Sequence, residues 1–188
     1  MIGRVIFGDP KIPAAITAAT GIDLEEQTHT VHLACTAPAS VLQGYDALQL
    51  DLVDEVARRL RKREIPVTPP DDVAEAIDDL GGRFEPRQLA SQFDDGLLVH
   101  INIESFSLHE PNSPKMHRGA TLGEVVGYEI RDDGPVEVFR QEIRLEYPET
   151  HPIPEDRISD AMFQRKYLTR LSDEIGRRLY RFRVSDTF

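Results

Sequence analysis

The chain switches between two hydrophobic periods, and each stretch with one period reads as one element. Tyr45, Leu48, Leu52, Val56 and Leu60 recur at helical spacing, with Val53 and Ala57 widening the stripe. Tyr45 to Arg63 is therefore predicted as an amphipathic helix. Its polar side carries Asp54 with Arg58 and Glu55 with Arg59 at i,i+4, and acidic residues lead while basic residues close it, complementing the helix dipole. From Leu97 to Leu108 the period becomes two. Leu97, Val99, Ile101 and Ile103 point one way; Leu98, His100, Asn102, Glu104 and Phe106 point the other, as in a strand.

Weaker patterns fill the rest. Ile12 to Thr20 reads as a short helix stopped by Gly21, and Thr28 to Thr36, rich in Thr and Val, as a strand. Ile65-Pro66-Val67 is a short extended piece ended by Pro69-Pro70. Two short helices, Asp71 to Leu80 and Pro86 to Phe93, are separated by Gly81-Gly82. Thr121 to Ile130 and Val136 to Tyr147 form a hairpin, because Asp132-Asp133-Gly134 supplies the positive φ angles of a tight turn. A long helix, Arg157 to Phe182, closes the chain, with Ile158, Ala161, Leu168, Leu171, Ile175, Leu179 and Phe182 as its buried face.

Early strands separated by helices imply parallel pairing, and the late hairpin adds antiparallel pairing. The expected fold class is α/β: a mixed sheet of about five strands with helices packed on it and a long carboxy-terminal helix. No internal repeat or Gly/Ser-rich linker divides the chain. The organisation is thus an amino-terminal segment with a short helix, residues 1–27, and a single domain, residues 28–188.

Composition narrows the class. With 188 residues, 40% hydrophobic and 29% charged, the chain suits a folded, water-soluble domain with a real core. Its longest apolar runs, such as Leu97-Leu98-Val99, fall far short of the roughly 20 residues that span a bilayer. The net charge of −11 disfavours nucleic acid as a partner. That charge is uneven: from Asp156 onward eight basic and five acidic residues give +3, and the preceding part, with 14 basic and 28 acidic, gives −14. The basic end, with Arg177, Arg178, Arg181 and Arg183, meets a membrane surface or an acidic partner, or docks on its own acidic neighbours. A single cysteine, Cys35, rules out an intrachain disulfide. Met1 to Phe7 is too short for a signal-peptide core, and the opening Val5 to Pro10 fits a native start, a removed export signal or a misplaced initiator.

Candidate chemistry is sparse. His29 and His32 point to opposite faces of a strand, and Cys35 lies about 20 Å along it from His29, so these three hold no common metal. Cys35 reads as a buried strand cysteine. His100, Asn102 and Glu104 line one strand face, Arg140, Glu142 and Arg144 another and Glu124 a third. If these faces coincide, the sheet has an apolar side under helices and a charged side facing water or a partner. His109 to His117, with two histidines, Glu110 and two prolines, reads as an irregular loop able to clip a metal or recognise a partner. Gly-x-x-x-x-Gly-Lys-Ser/Thr, Gly-x-Gly-x-x-Gly, Gly-x-Ser-x-Gly, His-Glu-x-x-His and Cys-x-x-Cys are all absent, and Gly8-Asp9-Pro10-Lys11 lacks the glycines and hydroxyl of a phosphate loop.

The strand DDGLLVHINIESFSL (Asp94 to Leu108), with the hairpin and long helix after it, resembles in layout a group of envelope proteins: the amino-terminal domain of TolB and the curli-secretion CsgG group. The resemblance covers Thr28 to Phe182. The segment FGDPKIPAA is similar to the start of mature bacterial lipoproteins, although Met1 stands where no lipobox cysteine precedes it. The resemblance implies a non-enzymatic domain of the bacterial envelope, favoured over the cytoplasm, that works by protein–protein contact.

The expected function is a non-enzymatic binding or assembly domain with no cofactor and no metal, acting on a protein partner or through self-association. Its candidate binding residues are His100, Asn102, Glu104, His109, His117, Arg140, Arg144, Arg177, Arg178 and Arg181. Peripheral membrane association stays open. So does a small-ligand pocket at the carboxyl ends of the parallel strands. The alternative is a hydrolase or metal-dependent enzyme built on His100, Glu104, His109 and His117.

Overall fold

The stripe that begins at Tyr45 becomes a helix because its apolar side has a sheet to cover. In the computed structural model, which describes residues 11–26 and 29–183, that helix is Leu48–Arg61, with Leu48, Leu52, Val56 and Leu60 at most 1% exposed. Burying each such side chain contributes about 1.5–3 kcal/mol. The predicted reading of Val5 to Pro10 and the start of the first strand at Thr28 lie outside the described residues.

In chain order the elements are β1 (Lys11–Ile12), α1 (Ala15–Thr20), β2 (Val31–Thr36), α2 (Ala39–Leu42), α3 (Leu48–Arg61), α4 (Pro70–Asp79) and α5 (Pro86–Ala90). Then follow β3 (Leu97–Glu110), β4 (Ser113–Glu129), β5 (Val136–Tyr147), β6 (Ile153–Pro154), α6 (Asp160–Leu179) and β7 (Phe182–Arg183). The fold is α/β. A mixed five-stranded sheet runs β2-β3-β4-β5, with β6 added to β4, and β1 pairs with β7 in a separate two-stranded ribbon. β2 and β3 are parallel; β3, β4 and β5 are antiparallel neighbours.

One face of the sheet packs on α1, α3 and α6 and forms the main core, which includes Ile16, Leu33, Val99, Ile101, Val125, Ile143 and Leu171. The other face is covered only in part. α4 and α5 lie over β2, the start of β3 and the end of β4, enclosing Ala34, Val73, Leu89, Leu98, Val126 and Tyr128. Helices therefore sit on both faces, and the second face is apolar at one end before it becomes polar.

Several expectations change. Ala161 is exposed, and Phe163 and Tyr167 take its place on the buried face of α6; Phe182 lies beyond the helix, in β7. Arg58 pairs with Glu55, three residues earlier, at 2.6 Å rather than with Asp54. Glu55 also holds Arg59 at 2.6 Å, and Arg59 reaches Asp173 of α6 at 2.6 Å, tying the two long helices together. Gly21 ends α1 with φ 79°, the left-handed cap that the sequence predicts.

The largest correction concerns β3. Ile103 stands opposite Gly123 and Ser105 opposite Leu122, so Glu104 is an extra residue, a β-bulge. One added residue reverses the side-chain alternation. Phe106 and Leu108 consequently enter the main core with Ile103 instead of continuing the face of His100. A second correction is that residues 109–117 are not an irregular loop. β3 runs to Glu110 and β4 starts at Ser113, so Pro111 and Asn112 alone form the turn, Asn112 with φ 62°. His109 and His117 are direct cross-strand partners.

Candidate binding cleft

β2 ends at Thr36, and the chain leaves it through Pro38 into α2 and α3 on one side of the sheet, while α4 and the 82–88 stretch lie on the other. The two layers diverge there. Gln49 of α3 donates its Nε2 to the Cys35 carbonyl at 3.1 Å, fixing the helix to the strand end. The result is an open cleft of about 930 Å3 at the carboxyl end of β2. Its walls are mainly apolar, with Leu33, Val53, Val73, Ile77 and Phe84 among the lining residues. Leu50 stands at its edge with 64% of its surface exposed. The exposed charges around it are Asp46, Asp78, Glu85 and Arg83, a net of −2 from three acidic groups and one basic.

Thr36 brings polar chemistry to the floor. Its hydroxyl donates to Asn102 Oδ1 at 3.1 Å, so the 2.8 Å contact with His100 Nε2 has the ring nitrogen donating to Thr36. His100 is 7% exposed and packs edge-on against Phe84. Burial pushes its pKa down to about 4, partly opposed by the Glu124 charge, with Arg140 adding to the fall. A histidine held neutral with its Nε2 hydrogen committed to Thr36 acts here as a floor support beneath the cleft wall. Cys35 lines the same cleft, and burial raises its thiol to about 12. A thiol so protonated at neutral pH is a poor nucleophile.

The sequence-predicted site residues separate into three places. His100 and Asn102 share a face with Glu124, Arg140 and Glu142, because His100, Val126 and Arg140 occupy one cross-strand row and Asn102, Glu124 and Glu142 the next. Arg140 bonds Glu124 at 2.6 Å and Glu137 at 2.8 Å. Arg144 lies exposed on β5, opposite Leu122, and Glu104 sits exposed on the bulge. His109 and His117 lie at the far end of β3 and β4, nine residues or about 30 Å along the strand from His100. His100, Glu104, His109 and His117 thus do not form one constellation.

The basic end of the chain turns inward. Arg177 pairs with Glu174 at 3.4 Å, and Arg178 bonds Glu174 Oε1 at 2.9 Å and the Glu142 carbonyl at 2.6 Å. Arg181 bonds Asp23 and reaches Glu26 at 2.6 Å. Of the two readings of the positive segment, docking on acidic neighbours describes these three arginines. His32, the other buried strand histidine, is likewise structural. It stacks on Phe93 at 3.9 Å, with Nε2 on the Asp95 carbonyl and Nδ1 on the Thr68 hydroxyl, each at 2.8 Å.

The cleft itself has no linear signature, since its lining comes from residues 33–53, 70–78 and 82–88. The one available signal is topological: clefts form where parallel strands end.

No protein-family model matches the chain, and no curated protein matches it. Among solved structures it is similar to lipoprotein GNA1162 from Neisseria meningitidis at 10% identity and a TM-score of 0.42, over 79% of this chain and 98% of that one. It is similar to the hypothetical protein CT253 from Chlamydia trachomatis at 13% identity and a TM-score of 0.41, again over 79% and 98%. A minor lipoprotein from Acinetobacter baumannii follows at 12% identity and 0.36, over 81% and 91%. Likenesses this weak assign neither a family nor a function.

Proposed function

We propose that this protein is a non-enzymatic binding domain of the bacterial cell envelope that receives a segment of a protein partner in the cleft at the end of β2. The observation that carries the reading is the cleft of about 930 Å3, near the upper end of the range for specific binding pockets. Its apolar walls favour burial of apolar side chains, and the exposed Leu50 extends that surface outward. The rim charge of −2 on a chain of −11 selects a partner segment whose apolar residues are flanked by Lys or Arg. The layout resemblance of Thr28 to Phe182 to envelope domains supports the envelope as the compartment. The neutral His100 and protonated Cys35 are placed to build the cleft rather than to move protons in it.

The test is selection of a displayed peptide library on the folded protein, with two cleft variants as counter-targets. Leu50→Asp changes an exposed position, and Ala74→Trp fills the cleft from its α4 wall. The expected result is enrichment of apolar peptides with flanking basic residues, whose binding falls at least tenfold on both variants. Enriched peptides that bind both variants as tightly as the parent, or no enrichment at all, would overturn the reading.

A further inference from the structure

The β3–β4 hairpin tip brings two histidines to the start of α6, away from the cleft. His109 and His117 face each other across the strands with ring centroids 5.3 Å apart. Asp160 is the first residue of α6, and its Oδ1 lies 3.5 Å from His117 Nε2. One ligand atom from each of His109, His117 and Asp160 lies within 4.8 Å of the other two.

His117 is fully buried, stacked on Phe163 at 4.8 Å, and its Nε2 makes a 3.1 Å bond to the Ile158 carbonyl. A carbonyl only accepts, so Nε2 carries the hydrogen and Nδ1 carries the free lone pair. That Nδ1 is buried and has no hydrogen-bond partner among the described residues. A buried acceptor without a donor loses its hydration with nothing in return, which makes it a rare feature. A ring that gives one nitrogen's hydrogen to a backbone carbonyl and leaves the other nitrogen bare is the arrangement found in metal-bound histidine.

We infer that His109, His117 and Asp160 form a binding site for a divalent transition-metal ion of the zinc type, joining the β3–β4 hairpin to the amino end of α6. Two imidazoles and one carboxylate suit zinc, which takes nitrogen and oxygen ligands at about 2.0–2.2 Å and tolerates a fourth position held by water. Tetrahedral ligands at that bond length stand roughly 3.4 Å apart, so atoms now up to 4.8 Å apart close by as much as about 1.4 Å on binding. Asp160 has the longest movement to make: its Oδ1 now lies beside His117 Nε2, the nitrogen bonded to Ile158, and its 77% exposed side chain swings towards Nδ1 to complete the site. The ion satisfies the bare His117 nitrogen and pins together segments that are 43 residues apart, from His117 to Asp160. The site departs from the expectation of no metal, which follows from the absence of metal-binding and catalytic motifs, and agrees with the reading of 109–117 as a stretch able to clip a metal. It is independent of the cleft and of what the cleft binds.

The test is calorimetric titration of zinc chloride into the full chain, prepared without a histidine tag and stripped by chelator, with magnesium chloride as the control ion. One zinc per chain is expected, with no magnesium uptake. His109→Gln and Asp160→Asn change positions that are not buried, and each is expected to weaken zinc binding 10–100-fold, the range for loss of a supporting group or more. His151→Gln, an exposed histidine outside the site, leaves it unchanged. Zinc is also expected to shift the imidazole nitrogen resonances of His109 and His117 but not of His100. Absence of zinc binding, or affinity unchanged in either site variant, would overturn the assignment.

Discussion

The ring of Tyr167 occupies the space that a side chain at Gly119 would fill. A Cβ built on Gly119 would lie 2.2 Å from Tyr167 Cδ2 and 2.3 Å from Cε2. The slot sets the depth of α6 on the sheet. From there Tyr167 donates its hydroxyl to Thr121 Oγ1 at 2.8 Å and lies 3.1 Å from the Leu145 carbonyl, contacting both β4 and β5. Phe106 and Phe163 pack around the same ring.

Gly119→Ala is therefore expected to push Tyr167 out of its slot. Overpacking of this kind costs about 1–3 kcal/mol, and here it also strains the bond to Thr121. A fall in the urea midpoint measures it. Combining Gly119→Ala with Tyr167→Leu, which removes the clashing ring, should cost less than the sum of the two single changes. Strictly additive losses would show that the two residues are not coupled.

Glu104 tests the bulge. Its side chain is exposed and serves neither the main core nor the His100 row, so Glu104→Ala should change stability by no more than about 0.5 kcal/mol. Deleting Glu104 should instead turn Phe106 and Leu108 out of the core and abolish cooperative unfolding. Circular dichroism melts of the two variants make the comparison, and a deletion variant as stable as the parent would contradict the register described above.

His100 gives the protein a pH dependence with a definite sign. Its folded pKa lies at about 4, chiefly through burial, against about 6.5 in an unfolded chain. Above pH 6.5 both states are neutral and nothing is lost. As pH falls from 6.5 towards 4 the unfolded state takes up a proton that the folded state refuses, so stability drops, levelling off below the folded pKa. Between pH 7 and pH 5 this amounts to about 2 kcal/mol. His100→Gln keeps a donor for Thr36 and removes the titration, so its stability should fall less over that interval in urea unfolding at each pH. Some slope remains in the variant, because His32 is also lowered by burial.

The acid limb below that range has another origin. Burial opposes ionisation of Glu55, yet hydrogen bonds and charge from Arg59 and Arg58 hold its pKa below the ordinary value; Glu137 is lowered chiefly by its hydrogen bonds to Arg140. A depressed carboxylate stabilises the fold above its unfolded pKa, and that contribution disappears as pH falls through the folded one. In 1 M salt the Glu137 part of this limb should shrink, because Glu137 and Arg140 are near the surface, where screening is strong. An acid limb insensitive to salt would place its origin elsewhere.

What was legible in the sequence was most of what depends on near neighbours along the chain, although Arg58 takes Glu55 and not Asp54 as its partner. Helix α3 and the first half of β3 follow from which residues recur at 3.6 or 2 positions, since amphipathic period is a local property. Gly21 and Gly134, with φ of 79° and 113°, likewise needed only backbone freedom, whereas Asp133 takes no positive φ and the hairpin turns over the longer stretch 130–135. The shared polar face of His100, Asn102, Glu124 and Arg140 was anticipated as a condition, because alternation defines faces but does not align strands.

What only the tertiary structure decided was register and closure. Glu104 becomes a bulge because Gly123 and Leu122 stand opposite its neighbours, and no property of Glu104 itself announces that. His109 and His117 read as parts of a loop until β4 starts at Ser113 and sets them face to face, and Asp160 joins them only through the docking of α6. Arg178 and Arg181 looked available to a partner until folding brought Glu142 and Asp23 to them. The cleft needs three separated segments and the divergence of two helical layers at the end of β2. Each of these depends on distances between residues far apart in the chain, which periodicity does not encode.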